Sequence, residues 1–339
     1  WVVFGFAAEI GDALGVTFGL IVLFGARLLA GAAGGNIAAA QAYIADVTSP
    51  ADRTGALGLV GAAFGLGFVF GPAVGGLLAS ETAVSTARSV LPGFVPVTPF
   101  SLPSFAAAGF SFLALAVAAV VLKEPDRTRR STPRVTFITQ FRSALADPTL
   151  RPLVVSFFLT SLAFTGITVM FVPFMADFFG YDATEAAMFL AYLGALGIIN
   201  QGVLIGWLSR TVGVQRVVGG GVASLFAALV LLAVSPLAGT TTLIAGGPQW
   251  VTGGLVVLLA FGALASFGNG AITVGLAALV SAGATVETQG AAFGVTQAAG
   301  SLGRTVGPPL AAAAYVVTYW SPFVAGALLL VPVALLLRR

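Results

Sequence analysis

Runs of almost wholly apolar residues recur along this chain, each about as long as a helix must be, roughly 20 residues, to cross the hydrocarbon core of a bilayer. One partial run, Trp1 to Leu14, is followed by nine complete ones. These are approximately Thr17 to Ile44, Gly55 to Ala79, Ser104 to Leu122, Pro152 to Ala176, Ala186 to Leu208, Val217 to Val234, Val251 to Ser281, Gln289 to Val317 and Ser321 to Leu337. In lipid every backbone N–H and C=O must find its partner within the protein, so such runs predict helices. Composition agrees: 58% of the residues are hydrophobic and 8% charged, against about 25% charged in a soluble chain. The expected class is an all-α membrane protein.

The same composition narrows the chemistry. Cysteine and histidine are both absent, which removes disulfides, thiolate or imidazole metal sites and the usual Cys/His or Ser/His catalytic pairs. With no nucleotide-binding loop and no ligand cluster in the sequence, neither an enzyme nor a cofactor nor a metal is expected. The formal charge of +3 does not imply nucleic acid, because the basic residues gather at helix ends on one side. Alternate loops hold Arg53, then Lys123, Arg127, Arg129, Arg130, Arg134, Arg142 and Arg151, then Arg210 and Arg216, then Arg338 and Arg339, while the opposite loops hold only Arg88. This positive-inside pattern puts the long central loop and the C-terminus in the cytoplasm of a multi-pass cell-membrane protein. Trp250 and Trp320 then start helices at the outer interface and Trp207 ends one at the inner interface. The chain opens at Trp1 already apolar, with no charged leader and no cleavage site, and reads as a fragment beginning inside a longer protein, not as a signal peptide.

Lys123 to Arg151 cannot cross a membrane and separates two helical blocks, 1–122 and 152–339, with 123–151 as linker. Within it Phe137, Ile138, Phe141 and Leu145 have helical spacing and suit either an amphipathic surface helix or a solvated linker helix. The blocks are related. Shifting by 236 positions lays Arg53–Pro72 on Gln289–Pro308 without a gap, and Ala56, Gly58, Ala62, Ala63, Leu66, Gly67, Gly71 and Pro72 recur as Ala292, Gly294, Ala298, Ala299, Leu302, Gly303, Gly307 and Pro308. Both helices run from inside to outside, so the repeat is parallel, the arrangement of rocking, alternating-access transporters.

The run GLGFVFGPAVGG places Gly67, Gly71, Pro72, Gly75 and Gly76 where a neighbouring helix can approach closely, and its proline removes one backbone hydrogen bond. By itself this is a packing seam. Its spacing resembles the GxxxGPxxGG motif on the fifth helix of major facilitator superfamily antiporters, which in that family accompanies export. Upstream, LFGARLLAGAAGGN resembles the family's fourth-helix motif through Arg27 and Gly31, although Ala30 and Ala33 replace the usual glutamine and second glycine. Arginine in a membrane helix is costly and persists mainly beside a partner or a wet cavity. The resemblance links Arg27 to proton transfer; the alternative is that it snorkels to the interface. YIADVTSPADR resembles the fourth-helix ending of tetracycline and multidrug exporters, and implies that Asp46 pairs with an arginine of a loop not in this sequence. Otherwise Asp46 and Arg53 are simply charges flanking a short loop. GWLSRTVGVQR is similar to the second-half copy of the family's loop motif at Gly206, Leu208, Gly213 and Arg216, but carries Arg210 and Thr211 where aspartate and arginine are usual, which puts the motif's charge relay in doubt.

The resemblance covers the whole chain, as helices three to twelve of a twelve-helix fold built from two parallel bundles, with helix three partial. It implies a central cavity, whose polar candidates here are Asn36, Thr165, Thr168, Asn200, Gln201, Asn269, Gln297 and Arg304, with Phe68 aligned to Arg304 in the repeat. Each of the Asn, Gln and Thr residues would equally serve to bond a neighbouring helix. Phe64, Phe68, Phe164, Phe171, Phe261 and Phe267 are candidates for an apolar wall. Arg304 would favour an anionic substrate, or would cap backbone carbonyls near Pro308. No complete span has a carboxylate near its centre; Glu9, Asp12, Asp177, Asp182 and Glu185 lie toward the ends. Either the coupling acid lies in helices outside this sequence or the protein is a facilitator. The expectation is an exporter of a small amphiphilic compound or drug in exchange for protons, working as a monomer. The alternatives are a facilitator or symporter of sugars or organic acids, and a transport-inactive receptor or assembly protein.

Overall fold

The computed structural model describes residues 1–122, 136–181, 183–239, 252–285 and 288–337. Lys123, Arg127, Arg129, Arg130, Arg134, Asp182, Trp250, Arg338 and Arg339 lie outside the described residues, as do the side chains of Phe68, Pro72 and Phe137. The described chain is helical: α1 (Val2–Gly5), α2 (Ala7–Leu14), α3 (Val16–Ala33), α4 (Asn36–Val47), α5 (Arg53–Ala79), α6 (Glu81–Val90), α7 (Ser101–Val121), α8 (Phe137–Ala146), α9 (Leu150–Phe179), α10 (Ala183–Ile199), α11 (Ile205–Val212), α12 (Val214–Val234), α13 (Gly253–Gly283), α14 (Gln289–Val317) and α15 (Ser321–Leu336). A π-helical turn, Asn200–Leu204, joins α10 to α11.

Seven stretches among the described residues are long and apolar enough to cross a membrane: α3 with α4, α5, α7, α9, the span Met188–Val212, the span Val214–Ala238, and α13. The sequence predicted nine. Of the other two, α14 has 29 residues but is diluted by Gln289, Thr296, Gln297, Arg304 and Thr305, and α15 has only 16. The run expected as one helix over Thr17–Ile44 is interrupted at Gly34 and Gly35. The short α6 was not expected; it starts where the Ser80 hydroxyl accepts from the Ala83 N–H and so satisfies one of the free donors of a first turn.

Contacts group the chain into two units, with boundaries inside α4 and α5. The first unit holds Trp1–Ile37 and Phe70–Thr128. In it α2 crosses α3 closely: a β-carbon built on Gly19 would lie 2.8 Å from the Gly11 Cα. Phe4 of α1 meets Phe100, just before α7, at 4.9 Å between ring centroids.

The second unit, Ala38–Val69 with Arg129–Arg339, has its core among α9, α12, α13, α14 and α15, where Phe174, Leu229, Phe261, Phe293 and Phe323 are fully buried. Phe171 stacks on Phe189 and Phe261 at 4.7 and 5.7 Å, so Phe171 and Phe261, candidates for a cavity wall, are core residues. Helix α8 covers the first turn of α9 and the start of α14: Ala144 packs with Val154, Val295 and Ala299, flanked by Phe141 and Leu145. Phe141 and Leu145 of its apolar side therefore meet protein, a third possibility beside the two the sequence suggested, while Ile138 is exposed.

Candidate functional site

The glycines of the second repeat copy bring α14 against α9. A β-carbon on Gly303 would lie 2.7 Å from the Phe158 carbonyl oxygen and 3.0 Å from the Leu162 nitrogen, and one on Gly307 would lie 2.6 Å from the Thr165 Cβ. Close backbone approach of this kind is what small residues allow between membrane helices. Thr165 is buried there with its hydroxyl donating to the Ser161 carbonyl at 2.7 Å, and the exposed Thr168 donates to the Thr165 carbonyl at 3.2 Å.

One turn before Gly303, the β-carbon that Gly300 lacks would lie 3.1 Å from Ser161 Oγ and 3.4 Å from Arg304 Nη1. Arg304 Nη2 also donates to Ser301 Oγ at 3.1 Å. The guanidinium and the Ser161 hydroxyl therefore approach one bare Cα from two helices, and Ser301 holds the guanidinium from within α14. Ser301, Arg304 and Thr305 lie on the exposed side of α14, with Gln297 half-buried two turns earlier. Among the described residues no carboxylate lies within ion-pairing distance of Arg304.

The first half of α5 makes a second seam. A β-carbon on Gly206 of α11 would lie 3.0 Å from the Gly55 Cα, and β-carbons on Gly58 and Gly61 would collide with the backbone carbonyl and the side-chain oxygen of Gln201. Gln201 is also crowded by Gly270 of α13. Its neighbour Asn200, buried, donates to Ser266 Oγ of α13 at 3.2 Å. Both thus meet other helices directly. Asn269, half-buried on α13, is two residues from Ala271, which packs with Ile205, Val217 and Val274, flanked by Leu208.

The seam ends in an ion pair. Arg210 Nη2 lies 3.7 Å from Asp52 Oδ1, both side chains well exposed, and Asp52 is itself held by the Ser49 hydroxyl at 2.9 Å. Gly213, with φ of 91°, turns the chain from α11 into α12, and Arg216 reaches back to the Val212 carbonyl at 3.5 Å. The arginine standing where the resembled loop motif has aspartate thus finds an aspartate elsewhere.

In the first unit, the Arg27 guanidinium sits 4.6 Å from the Phe4 ring centroid and 5.7 Å from that of Trp1, a cation–π arrangement. Asn36 is exposed at the start of α4; Asp46, on the part of that helix that belongs to the second unit, is half-buried. β-Carbons on Gly67, Gly71, Gly75 and Gly76 would meet nothing within 4 Å. In this unit the last half of α5 forms with α7 an open apolar groove lined by Phe70, Gly71, Val74, Gly75, Pro103 and Ala107. Among the described residues no group of acidic side chains could hold a metal ion.

The family model described as Major Facilitator Superfamily matches residues 2–248. The chain belongs to the major facilitator superfamily. It is 29% identical over 299 residues to the tetracycline resistance protein, class C, of Escherichia coli, covering 87% of this chain and 67% of that one. It spans about two thirds of the length of the tetracycline resistance proteins of classes C, D and G. In fold it is similar to the human organic anion transporter MFSD10, with a TM-score of 0.68 and 21% identity over 99% of this chain and 74% of that one. It is also similar to the Escherichia coli fucose:proton symporter, with a TM-score of 0.65 and 16% identity over 99% of this chain and 81% of that one. The superfamily fold expected from the sequence is the fold observed, and the chain is a multi-pass membrane protein of a transporter family. Within that fold, sequence reasoning missed Ser161, Gly300, Ser301, Asp52, Trp1 and Phe4. Ser301 acts within α14, one turn from Arg304; each of the others acts through a contact between helices or loops that no local motif announces.

Proposed function

We propose that the protein is a secondary active transporter that exports a small amphiphilic organic compound in exchange for protons by alternating access. The observation that carries this reading is the seam of α5 with α11 and the π turn. Gly55 meets Gly206 there, Gly58 and Gly61 lie against Gln201, and an exposed ion pair closes the end; such pairs contribute about 0.2–1 kcal/mol. A contact built on small residues and closed by a weak ion pair suits two bundles, residues 1–122 and 152–339 joined by 123–151, that part and rejoin around a central cavity. The direction of transport and the class of compound rest on similarity to a tetracycline resistance protein and on the α5 motif. In this reading Arg27 belongs to proton coupling with Asp46, the α5 glycines to gating, and the central loop and C-terminus face the cytoplasm.

A second reading, a facilitator, is favoured by the position of the acids. Asp177, near the end of α9, accepts from the Tyr315 hydroxyl at 2.8 Å, and Glu9 and Glu185 lie on the first turns of α2 and α10. Everted vesicles with an imposed proton gradient separate the two. Dye or antibiotic accumulation that collapses with an uncoupler, and in Arg27→Ala, is the outcome expected of the exporter; gradient-independent equilibration would replace it with the facilitator.

A further inference from the structure

The cluster over Gly300 has a chemistry that alternating access does not require. Arg304 carries a permanent charge on α14, and its hydrogen-bond partner is a neutral hydroxyl, Ser301 Oγ at 3.1 Å. A guanidinium has five N–H donors in a planar fork, so among the described residues most of this one's capacity is unspent. The Ser161 hydroxyl is brought to the same spot from α9, and the space both share is the β-carbon position that Gly300 leaves empty. A charge in a membrane helix is retained where it meets a wet cavity or a partner of opposite charge. The partner this fork fits is a carboxylate or another planar oxyanion, which it binds with two parallel hydrogen bonds. The serine hydroxyls can donate to the remaining lone pairs. Phe164, one turn from Ser161 on α9 and half-buried, offers an apolar surface for the rest of such a molecule.

We infer that Arg304, with Ser161 and Ser301, is the binding site for the anionic group of an amphiphilic substrate, so that the transported class is organic carboxylates. This deepens, and rests on, the transporter reading above. The Gly300 position shapes the geometry: an alanine there would press on the Ser161 hydroxyl from 3.1 Å and on the guanidinium from 3.4 Å.

The test is direct binding to the purified protein in lipid nanodiscs, followed by fluorescence of the probe, with transport measured separately in vesicles. The probes are naphthylacetate, its methyl ester and naphthylethylammonium. Wild type is expected to prefer the carboxylate, with Arg304→Gln weakening it at least about tenfold and leaving the ester unchanged, because only the charged, forked contact is lost. Arg304→Lys, which keeps charge without the fork, is expected to fall between, and Ser161→Ala to weaken the carboxylate severalfold. Equal weakening of all three probes by Arg304→Gln, or none, would overturn the site, since a purely structural arginine does not select by ligand charge. If the site binds carboxylate as described and vesicles move none of the probes, the transport reading fails while the anion site stands. Gradient-driven export of the ammonium probe, without Arg304-dependent carboxylate binding, is the reverse outcome and removes the site alone.

Discussion

The two copies of the internal repeat share a sequence pattern and differ in what they touch. In α14, Gly303 and Gly307 are buried under α9, whose backbone and Thr165 come within 3.0 Å of where their β-carbons would be. In α5 the matching Gly67 and Gly71 have nothing within 4 Å of that position. Glycine spacing therefore licenses a close helix contact but does not create one; the partner decides. Within α5 itself the occupied glycines are Gly55, Gly58, Gly61 and Gly65, the last against Gly194 and Ile198 of α10, and all four lie ahead of Gly67, where the GxxxGP spacing by which the helix resembles antiporters begins. The face that sequence comparison singles out and the face that is packed here are different stretches of one helix.

The largest effect should come from filling the α14 copy. Gly303→Val and Gly307→Val are each expected to destabilise by about 1–3 kcal/mol or more, the cost of overpacking a tight contact. Thermal melting of the detergent-solubilised protein measures it. Gly71→Val, in the same assay, should stay within about 0.5 kcal/mol, as for substitutions that meet no neighbour; a loss as large as at Gly307 would mean that the α5 face is covered too and would end the contrast. Next, Gly61→Ala should cost about 1–3 kcal/mol by striking the Gln201 side chain, and Gln201→Ala should return much of it. A double-mutant cycle that gives simple additivity would exclude the contact. The smallest effect belongs to the ion pair: Arg210→Asp should cost at most about 1 kcal/mol, less in high salt, and Asp52→Arg added to it should restore the loss.

Helix positions were legible because the bilayer imposes its length on the sequence: Val251–Ser281 was expected where Gly253–Gly283 is found, and Gln289–Val317 coincides with α14. Interruptions were less legible. The break at Gly34 and Gly35 sits inside an apolar run, and the π turn at Asn200 has no composition of its own. Site contacts were hardest, because they depend on which helices become neighbours. Arg27 was recognisable as an expensive charge, yet its cover by Phe4 and Trp1 depends on α1 lying beside α3. Arg210 looked like a defect in a loop motif until Asp52 was found beside it. Asn200 and Gln201 read equally as cavity residues and as helix–helix contacts from sequence, and only the arrangement of Ser266 and the glycines of α5 and α13 distinguishes what they touch.

The π turn also fixes a phase. A regular helix advances about 100° per residue, so a turn that takes in an extra residue offsets everything after it by about that angle. Asn200 can then address α13 while Gln201 addresses α5, and Gly206 and Arg210, beyond the turn, still come round to Gly55 and Asp52. The five residues Asn200–Leu204 act as a splice between two screw threads that would otherwise be out of step. Removing one of them would leave every later residue of α11 chemically intact and pointing the wrong way.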